Sequence, residues 1–159
     1  MKQSPIYRIL RFVVLFLGIY FLMSLFYWLY LSRFEAQPDG ITKLVTIATV
    51  KAINFFGYEA GMALKGNPAE YYVYVNQASV VRIIEGCNAM SLMVLFIAFT
   101  VAVPNLNRID RYYKKLAFFV VLGVASIVII NIIRIVLLTI LLYHFPDQVV
   151  LLHEILFPL

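Results

Sequence analysis

Two long apolar segments set the strongest limit on how this chain can fold. The first, residues 10–31, contains one charge, Arg11, near its start, and the second, residues 116–143, contains only Arg134. A helix rises about 1.5 Å per residue, so about 20 apolar residues cross the roughly 30 Å hydrocarbon core of a bilayer. We therefore predict a polytopic membrane protein of the all-α class with spans at both segments.

Two shorter apolar segments complete the predicted topology. Residues 87–103 approach the length of a span and have a polar beginning at Cys87 and Asn88. Residues 149–159 start another apolar segment, but eleven residues cannot cross a bilayer. We expect three full spans and a partial fourth in a single integral membrane domain over residues 1–159. Either the natural protein is longer or its last segment is half inserted.

The charges around these segments predict the orientation. Basic residues flank the start of the first span, and residues 104–115 carry four basic residues against one acidic residue. Both regions are expected in the cytoplasm, together with the amino terminus. Residues 32–86 balance five basic with five acidic residues, as expected of an extracytoplasmic segment. Because these flanks account for the net charge of +5, we expect no nucleic-acid partner.

The extracytoplasmic segment holds two predicted elements. Residues 41–56 are apolar but include Lys43 and Lys51, so we predict an amphipathic helix at the outer surface instead of a crossing. Residues 70–75 and 79–84 are rich in Tyr, Val and Ile, and three residues separate them. This pattern predicts a short hairpin that leads the chain to Cys87.

Cys87 is the only cysteine of the chain and lies where polar sequence gives way to an apolar segment. It has no disulfide partner in its own chain, so it is a packing residue, a lipidation site or a nucleophile. Arg134 lies within an apolar segment, where an ionisable group is costly and therefore a functional candidate. Its alternative role is an anchor that reaches the membrane interface.

Helix rise brings three candidate residues to one depth. Cys87 lies about 24 Å along a helix from Val103, and Arg134 lies about 27 Å from Leu116. Both positions are near the predicted outer surface. After residue 143 the chain turns back, and the returning segment carries His153, an acid/base candidate whose alternative is an ordinary interfacial histidine.

Four further polar residues could support this group or bind substrate: Glu85, Asn88, Asn131 and Glu154. Asn131 lies one turn before Arg134 and either holds the guanidinium, lines the site or bonds to a neighbouring helix. Glu85 and Glu154 are solvated charges at the membrane boundary, or one of them orients His153 or pairs with Arg134. One cysteine and two histidines are a poor ligand supply, so we expect no metal and no other cofactor.

The chemistry of such a group would be acyl transfer. A thiolate is the nucleophile, and a nearby cation stabilises it or the oxyanion that follows, while a histidine takes and returns protons. Peptide cleavage would leave a thioester on Cys87, and an amine, hydroxyl or water would then release the acyl group.

The residues that carry this chemistry resemble a known family. Glu85-Gly86-Cys87-Asn88-Ala89, Asn131-Ile132-Ile133-Arg134 and His153-Glu154 are similar in order and membrane context to the motifs of the exosortase/archaeosortase family. The small size and layout are most similar to its bacterial F-type branch. The resemblance implies a cysteine transpeptidase or protease in the bacterial inner membrane, with its site on the periplasmic face. Its partners would be membrane-anchored proteins with a carboxy-terminal sorting signal.

Carried over by position, the resemblance makes Cys87 the nucleophile, Arg134 the stabilising cation and His153 the acid/base group. The common family pattern is Cys-Ser-Gly, whereas this chain has Asn88 and Ala89 after the cysteine. Two other hypotheses remain at this point. One is a non-catalytic membrane scaffold in which Arg134 pairs with a partner helix, and the other is an acyltransferase that takes its acyl group from lipid. The oligomeric state is not predicted.

Overall fold

The computed structural model describes residues 5–34, 37–66, 70–103 and 112–146. The chain is mostly helical, with a small antiparallel sheet between its second and third α-helices. The elements in chain order are α1 (Pro5–Leu31), α2 (Gly40–Phe55), β1 (Ala60–Lys65), β2 (Glu70–Val75), β3 (Ala78–Ile83), a 3-10 helix (Glu85–Asn88), α3 (Met90–Ala102) and α4 (Tyr112–His144). They form two compact units, and α4 contributes its first part to one unit and its last part to the other.

The first unit contains α1, α3 and the beginning of α4. No residue of α1 is buried, and aromatic rings join α1 to α3. Phe99 lies edge-on to Phe12 and Phe16, with ring centroids 5.7 Å and 6.3 Å apart. By length and composition, α1 and the part of α4 from Lys115 to His144 could each cross a membrane. The helices predicted over residues 10–31 and 116–143 are therefore confirmed as long apolar helices.

The helix in the structure begins later than the predicted span over residues 87–103. The α-helix starts only at Met90, and its 13 residues rise about 20 Å, which is less than a hydrocarbon core. Cys87 lies in the preceding 3-10 helix, and Ala89 between them has a left-handed conformation with φ 57°. Because this conformation interrupts the helical hydrogen-bond series, residues 87–103 do not form one continuous helix. The distance of about 24 Å from Val103 to Cys87, which was predicted from helix rise, therefore does not apply.

The second unit contains α2, the sheet, the 3-10 helix and the end of α4. The sheet has the order β1-β2-β3 with both pairs antiparallel. The predicted hairpin is confirmed as β2 and β3, with a tighter turn at Asn76 and Gln77, which both have positive φ. Two positive φ values match the right-handed twist of the flanking strands. The strand β1 was not predicted, so the sheet is larger than a hairpin and the class is not purely α.

The predicted helix over residues 41–56 is confirmed as α2, and one of its faces is buried. The buried positions recur at helical spacing, and polar and apolar side chains share them: Thr42, Val45, Thr46, Thr49 and Ile53. This face belongs to a core that also contains Val73, Val75 and Ile83 of the sheet and Ile135 of α4. The location of α2 at the outer membrane surface stays a prediction.

The predicted partial fourth span, residues 149–159, lies outside the described residues. The same holds for His153 and Glu154. The prediction of a single domain also stays a prediction.

Candidate active site

Cys87 lies in the 3-10 helix directly after β3, and hydrogen bonds hold its backbone on two sides. Its N–H donates to the carbonyl of Ile84 at 2.9 Å, and its carbonyl accepts a bond from Nδ2 of Asn131 at 2.7 Å. The residue is half-buried against the core of the second unit. The main chain is thus fixed while part of the residue stays accessible.

The α4 residues that approach Cys87 lie along one stripe of the helix. Asn131 is buried and donates to Cys87, and Arg134 follows one turn later. Because residues three and four apart share a helix face, Arg134 lies between Asn131 and Leu138 at the edge of this stripe. The Nε atom of Arg134 is buried. The structure therefore brings Asn131 to Cys87 and places Arg134 on the adjacent turn.

The residue after the cysteine is held by a network that the sequence analysis missed. Nδ2 of Asn88 donates to the hydroxyl of Thr42 at 3.3 Å, and this hydroxyl donates to the carboxylate of Asp39. The same carboxylate caps α2 by accepting the N–H of Ile41 at 2.9 Å and that of Thr42 at 3.3 Å. Asp39 and Thr42 are completely buried.

A buried carboxylate is costly unless hydrogen bonds surround it, and the cap supplies them. Asp39 therefore positions Asn88 through Thr42. The sequence signal was present, because an Asp before an apolar helical segment is a common helix beginning.

Ala89 stands where the resembled pattern has glycine, and its backbone conformation is one that favours glycine. Its φ of 57° and ψ of 16° lie in the left-handed region, which glycine enters without a steric penalty. An L-residue with a Cβ pays about 1–2 kcal/mol there. Ala89 therefore has a backbone conformation typical of glycine, the residue that it replaces in the resembled pattern.

A cavity of about 360 Å³ opens beside Cys87. This volume lies within the range of about 300–1,000 Å³ that is common for ligand sites. The lining is mostly aliphatic and comes from three elements of the second unit: Val80, Val81, Arg82, Ile83 and Ile84 of β3 and its end, Gly86 and Cys87 of the 3-10 helix, and Ile135, Leu138 and Leu142 of α4. The charge of Arg82 is matched by Glu70, 3.1 Å away.

Two other titratable residues complete the description of this region. Glu85 is half-buried in the first turn of the 3-10 helix. His144 is exposed at the end of α4, where a hydrogen bond of 3.0 Å joins its Nε2 to the hydroxyl of Tyr58. It lies about 20 Å along α4 from Asn131, so it is too far from Cys87 to exchange a proton with the thiol. Of the two histidines, only His153 remains a candidate for that role.

Among the residues in the described ranges, no group of three or more His, Cys, Asp and Glu side chains could hold a metal ion.

Comparison with known families gives one match over nearly the whole chain. Residues 2–156 match the model described as Transmembrane exosortase (Exosortase_EpsH). No curated protein and no solved structure matches the chain significantly.

Proposed function

The chain belongs to the transmembrane exosortase family, and from this premise we propose a cysteine transpeptidase that cleaves a carboxy-terminal sorting signal through a thioester on Cys87. Family membership implies a membrane protein with an exosortase-like transpeptidase role on proteins that carry sorting signals. The proposal adds the mechanism, the residues and the topology. The layout of the chain also favours the bacterial F-type branch.

The observation that carries the proposal is the fixed main chain of Cys87 beside an apolar cavity. Asn131 holds the carbonyl of Cys87, and the Asp39 network holds Asn88. A nucleophile needs this kind of preorganisation, because misplacement by about 1 Å can cost about 100-fold in rate. The two anchors act on consecutive residues, so they restrict where the thiol can lie relative to the cavity.

In the proposed mechanism, the thiolate of Cys87 attacks the carbonyl carbon of the scissile peptide bond. A C–S bond forms, and Arg134 stabilises the negative charge on the carbonyl oxygen. The C–N bond then breaks, and the departing amine takes a proton from His153. An acceptor amine or water next gives a proton to His153 and attacks the thioester, which releases the acyl group and regenerates the thiolate.

The proposed topology places this chemistry at the outer surface of the bacterial inner membrane. Arg134 lies about 27 Å along α4 from Leu116, close to the thickness of the hydrocarbon core. With the basic residues 104–115 in the cytoplasm, Arg134 reaches the periplasmic side. The amino terminus is then cytoplasmic, and α3 with its flanking residues is the second of the three full spans, before α4. Residues 149–159 form the partial fourth that brings His153 back.

The mechanism is tested by replacing the nucleophile. Cys87→Ala should abolish processing of a co-expressed reporter protein that carries a membrane-tailed sorting signal. The variant should remain in the membrane fraction at the normal level, and Met62→Ala on the exposed face of β1 serves as a matched control. Normal reporter processing by Cys87→Ala would exclude the cysteine mechanism.

The topology is tested separately by labelling. A membrane-impermeant maleimide added to intact spheroplasts should label Cys87, the only thiol of the chain. Labelling only after permeabilisation would reverse the proposed orientation.

A further inference from the structure

The strand β3 has a free edge beside Cys87. The sheet order β1-β2-β3 puts β3 at one side, and its backbone pairs with β2 alone among the described residues. The N–H and C=O groups of alternate residues on an edge strand point away from the sheet and can pair with another extended chain. The 3-10 helix that carries Cys87 begins two residues after β3 ends.

The cavity runs along this edge and not over one face of the sheet. Successive side chains of a strand point to opposite faces, so a cavity on one face contacts every second residue. Here the consecutive residues from Val80 to Ile84 line the cavity. Residues of α4 form the opposite wall, which makes the cavity a groove between the edge of β3 and α4.

The pairing of β2 with β3 supports a role for this edge. Val73 of β2 pairs with Val81 of β3, and the next residue of β2, Tyr74, pairs with Ser79. Val80 therefore has no register partner on β2 and is an extra residue in β3. Such bulges are common beside active sites, where they change the direction of a strand. The bulge lies at the end of the groove away from Cys87.

The size and lining of the groove indicate its occupant. Ile135 and Leu142 are about 10 Å apart along α4, the length of about three extended residues. The wall is aliphatic, and its one guanidinium, that of Arg82, is already paired with Glu70. A charged segment would lose its hydration there without gaining a partner.

We propose that the groove is the acyl-side subsite, which binds about three uncharged residues of the substrate as an additional strand on the free edge of β3. The thiol of Cys87 lies at the end of β3 where the scissile carbonyl would then be presented. Leu138, in the middle of the α4 wall, favours an apolar side chain at the centre of the bound segment. This inference rests on the proposed function, because the acyl side is defined by attack at Cys87.

The direction of the bound segment follows from the two ends of the groove. Under the proposed topology, α4 runs outward from Ile135 to Leu142, so the groove extends from the membrane surface into the periplasm. The segment before the scissile bond therefore enters from the periplasm and runs parallel to β3 toward Cys87. The hydrophobic tail that follows the scissile bond remains in the bilayer.

The test uses peptide reagents that alkylate the thiol. Purified full-length protein in lipid nanodiscs is treated with acetyl-Ala-Val-Ala chloromethyl ketone, and intact mass follows the adduct on Cys87. The thiolate displaces chloride and forms a C–S bond. Iodoacetamide, which needs no groove, measures the reactivity of the thiol alone. Replacing Val in the reagent by Lys tests the preference for an uncharged segment.

N-methylation of the reagent distinguishes strand pairing from simple apolar binding. Alternate N–H groups of a strand point to the same side, so methylating Val and then the last Ala should have unequal effects. Loss of one hydrogen bond should slow alkylation about fivefold to tenfold at one of these positions, with little change at the other. Equal effects at both positions, or none, would overturn strand pairing.

Variants of α4 test the other wall of the groove. Leu138→Trp should slow alkylation by the peptide reagent and leave the iodoacetamide rate unchanged. Leu137→Trp is the matched control, because Leu137 is exposed on another side of α4. If both variants react with the peptide like the unsubstituted protein, the α4 wall does not bind it and the subsite is wrong.

The outcomes separate this inference from the proposed function. Suppose that iodoacetamide labels Cys87, but the unmethylated Val peptide labels it no faster than the Lys peptide does. This result would overturn the groove and leave Cys87 as the nucleophile. Failure of both reagents to label Cys87 would contradict the nucleophile and the groove together. Unequal N-methyl effects combined with normal reporter processing by Cys87→Ala would keep the groove and exclude the transpeptidase.

Discussion

The contacts inside the first compact unit differ in kind from those inside the second. In the first unit, aromatic rings meet across helices, as Phe99 meets Phe12 and Phe16. In the second unit, completely buried aliphatic residues of the sheet pack beside buried polar ones such as Asp39 and Thr42. Ring packing tolerates small displacements, whereas hydrogen bonds lose strength quickly when their geometry changes. We propose from this difference that the first unit serves mainly to hold the chain in the membrane, and that the second, which includes the end of α4, also fixes the reactive residues.

Both units expose large apolar side chains on their helices, such as Phe21 of α1 and Ile130 of α4, and the units differ in their interiors. Large apolar side chains of α1 such as Phe21, Phe26 and Trp28 are exposed, as expected of a helix whose neighbours are lipids. In the second unit Val73, Val75 and Ile83 are fully buried, so this unit has a core like that of a water-soluble domain. Substitutions in the first unit should therefore change assembly in the membrane, and substitutions in the second should change chemistry.

The largest predicted effect on chemistry beyond the nucleophile itself is at Arg134. Arg134→Ala should lower the rate of reporter processing about 100-fold to 1,000-fold, because one donor to the developing oxyanion is lost. Arg134→Lys should recover part of the rate, since it retains a cation. The measurement is the initial rate of reporter cleavage at equal protein in the membrane fraction.

Arg33→Ala is the matched control for Arg134, because Arg33 is an exposed arginine after the end of α1. Its processing rate should not change. If Arg134→Ala processes the reporter normally, Arg134 is an anchor and the oxyanion role is wrong.

A smaller effect is predicted at Asp39, which reaches the site only through other residues. Asp39→Ala should lower the free energy of unfolding of the second unit by about 2–4 kcal/mol, because the cap of α2 is lost and the buried hydroxyl of Thr42 loses its acceptor. Asp39→Asn should cost less, since Asn is also a good cap. Chemical unfolding followed by near-ultraviolet circular dichroism measures both.

The control for Asp39 is Glu59→Ala, which removes an exposed carboxylate from the same unit. Its unfolding curve should overlay that of the unsubstituted protein. Equal destabilisation by Asp39→Ala and Glu59→Ala would show that the buried network adds nothing specific.

The first unit offers a contrasting test at Gly123. A side chain there would overlap the ring of Phe96, so Gly123→Leu should destabilise the packing of α3 on α4 by about 1–3 kcal/mol. Gly18→Leu is the matched control, because a Cβ at Gly18 meets nothing within 4 Å. Thermal unfolding in detergent measures both variants.

The comparison between the units also predicts what Gly123→Leu leaves intact. Alkylation of Cys87 by iodoacetamide should keep its rate in the folded fraction. A large change in that rate would show that the packing of the first unit controls the site, contrary to the division of roles drawn above.

The smallest predicted effect is at Ala89, where the sequence passes from the second unit to the first. Ala89→Gly should raise the free energy of unfolding by about 1 kcal/mol, because glycine relieves the left-handed strain at the cost of a more flexible unfolded chain. Ala98→Gly, the same change inside α3, should instead lower it by about 1 kcal/mol. Destabilisation by both variants in chemical unfolding would contradict the left-handed conformation of Ala89.

Sequence was a good guide to the first unit and to part of the second. Long apolar segments have few alternatives to a helix, so α1 and α4 were predicted within a few residues of their observed ends. The hairpin followed from the Tyr, Val and Ile content of β2 and β3. The strand β1 was missed because Ala60, Gly61 and Ala63 have little strand preference and acquire it only by pairing with β2.

The site itself was predicted in part. The sequence predicted Asn131 as a residue of the site near Arg134, but it did not predict the hydrogen bond to Cys87. That bond goes to a backbone carbonyl and leaves no trace in the side-chain pattern. The Asp39 network joins residues 46 positions apart, through Thr42 and Asn88, and no local spacing reveals such a contact. The predicted span over residues 87–103 was wrong at its beginning, because Ala89 has a backbone conformation that alanine disfavours and the helix starts only at Met90.

The central claim is that Cys87 forms a thioester with the acyl part of a sorting-signal protein. The most direct measurement is the intact mass of the purified protein after co-expression with the reporter and rapid acid quenching. We predict a mass increase equal to the acyl fragment, assigned to Cys87, lost on treatment with hydroxylamine and absent in Cys87→Ala. Reporter cleavage without any adduct on Cys87, or an adduct with the mass of a lipid fatty acyl group, would contradict the claim.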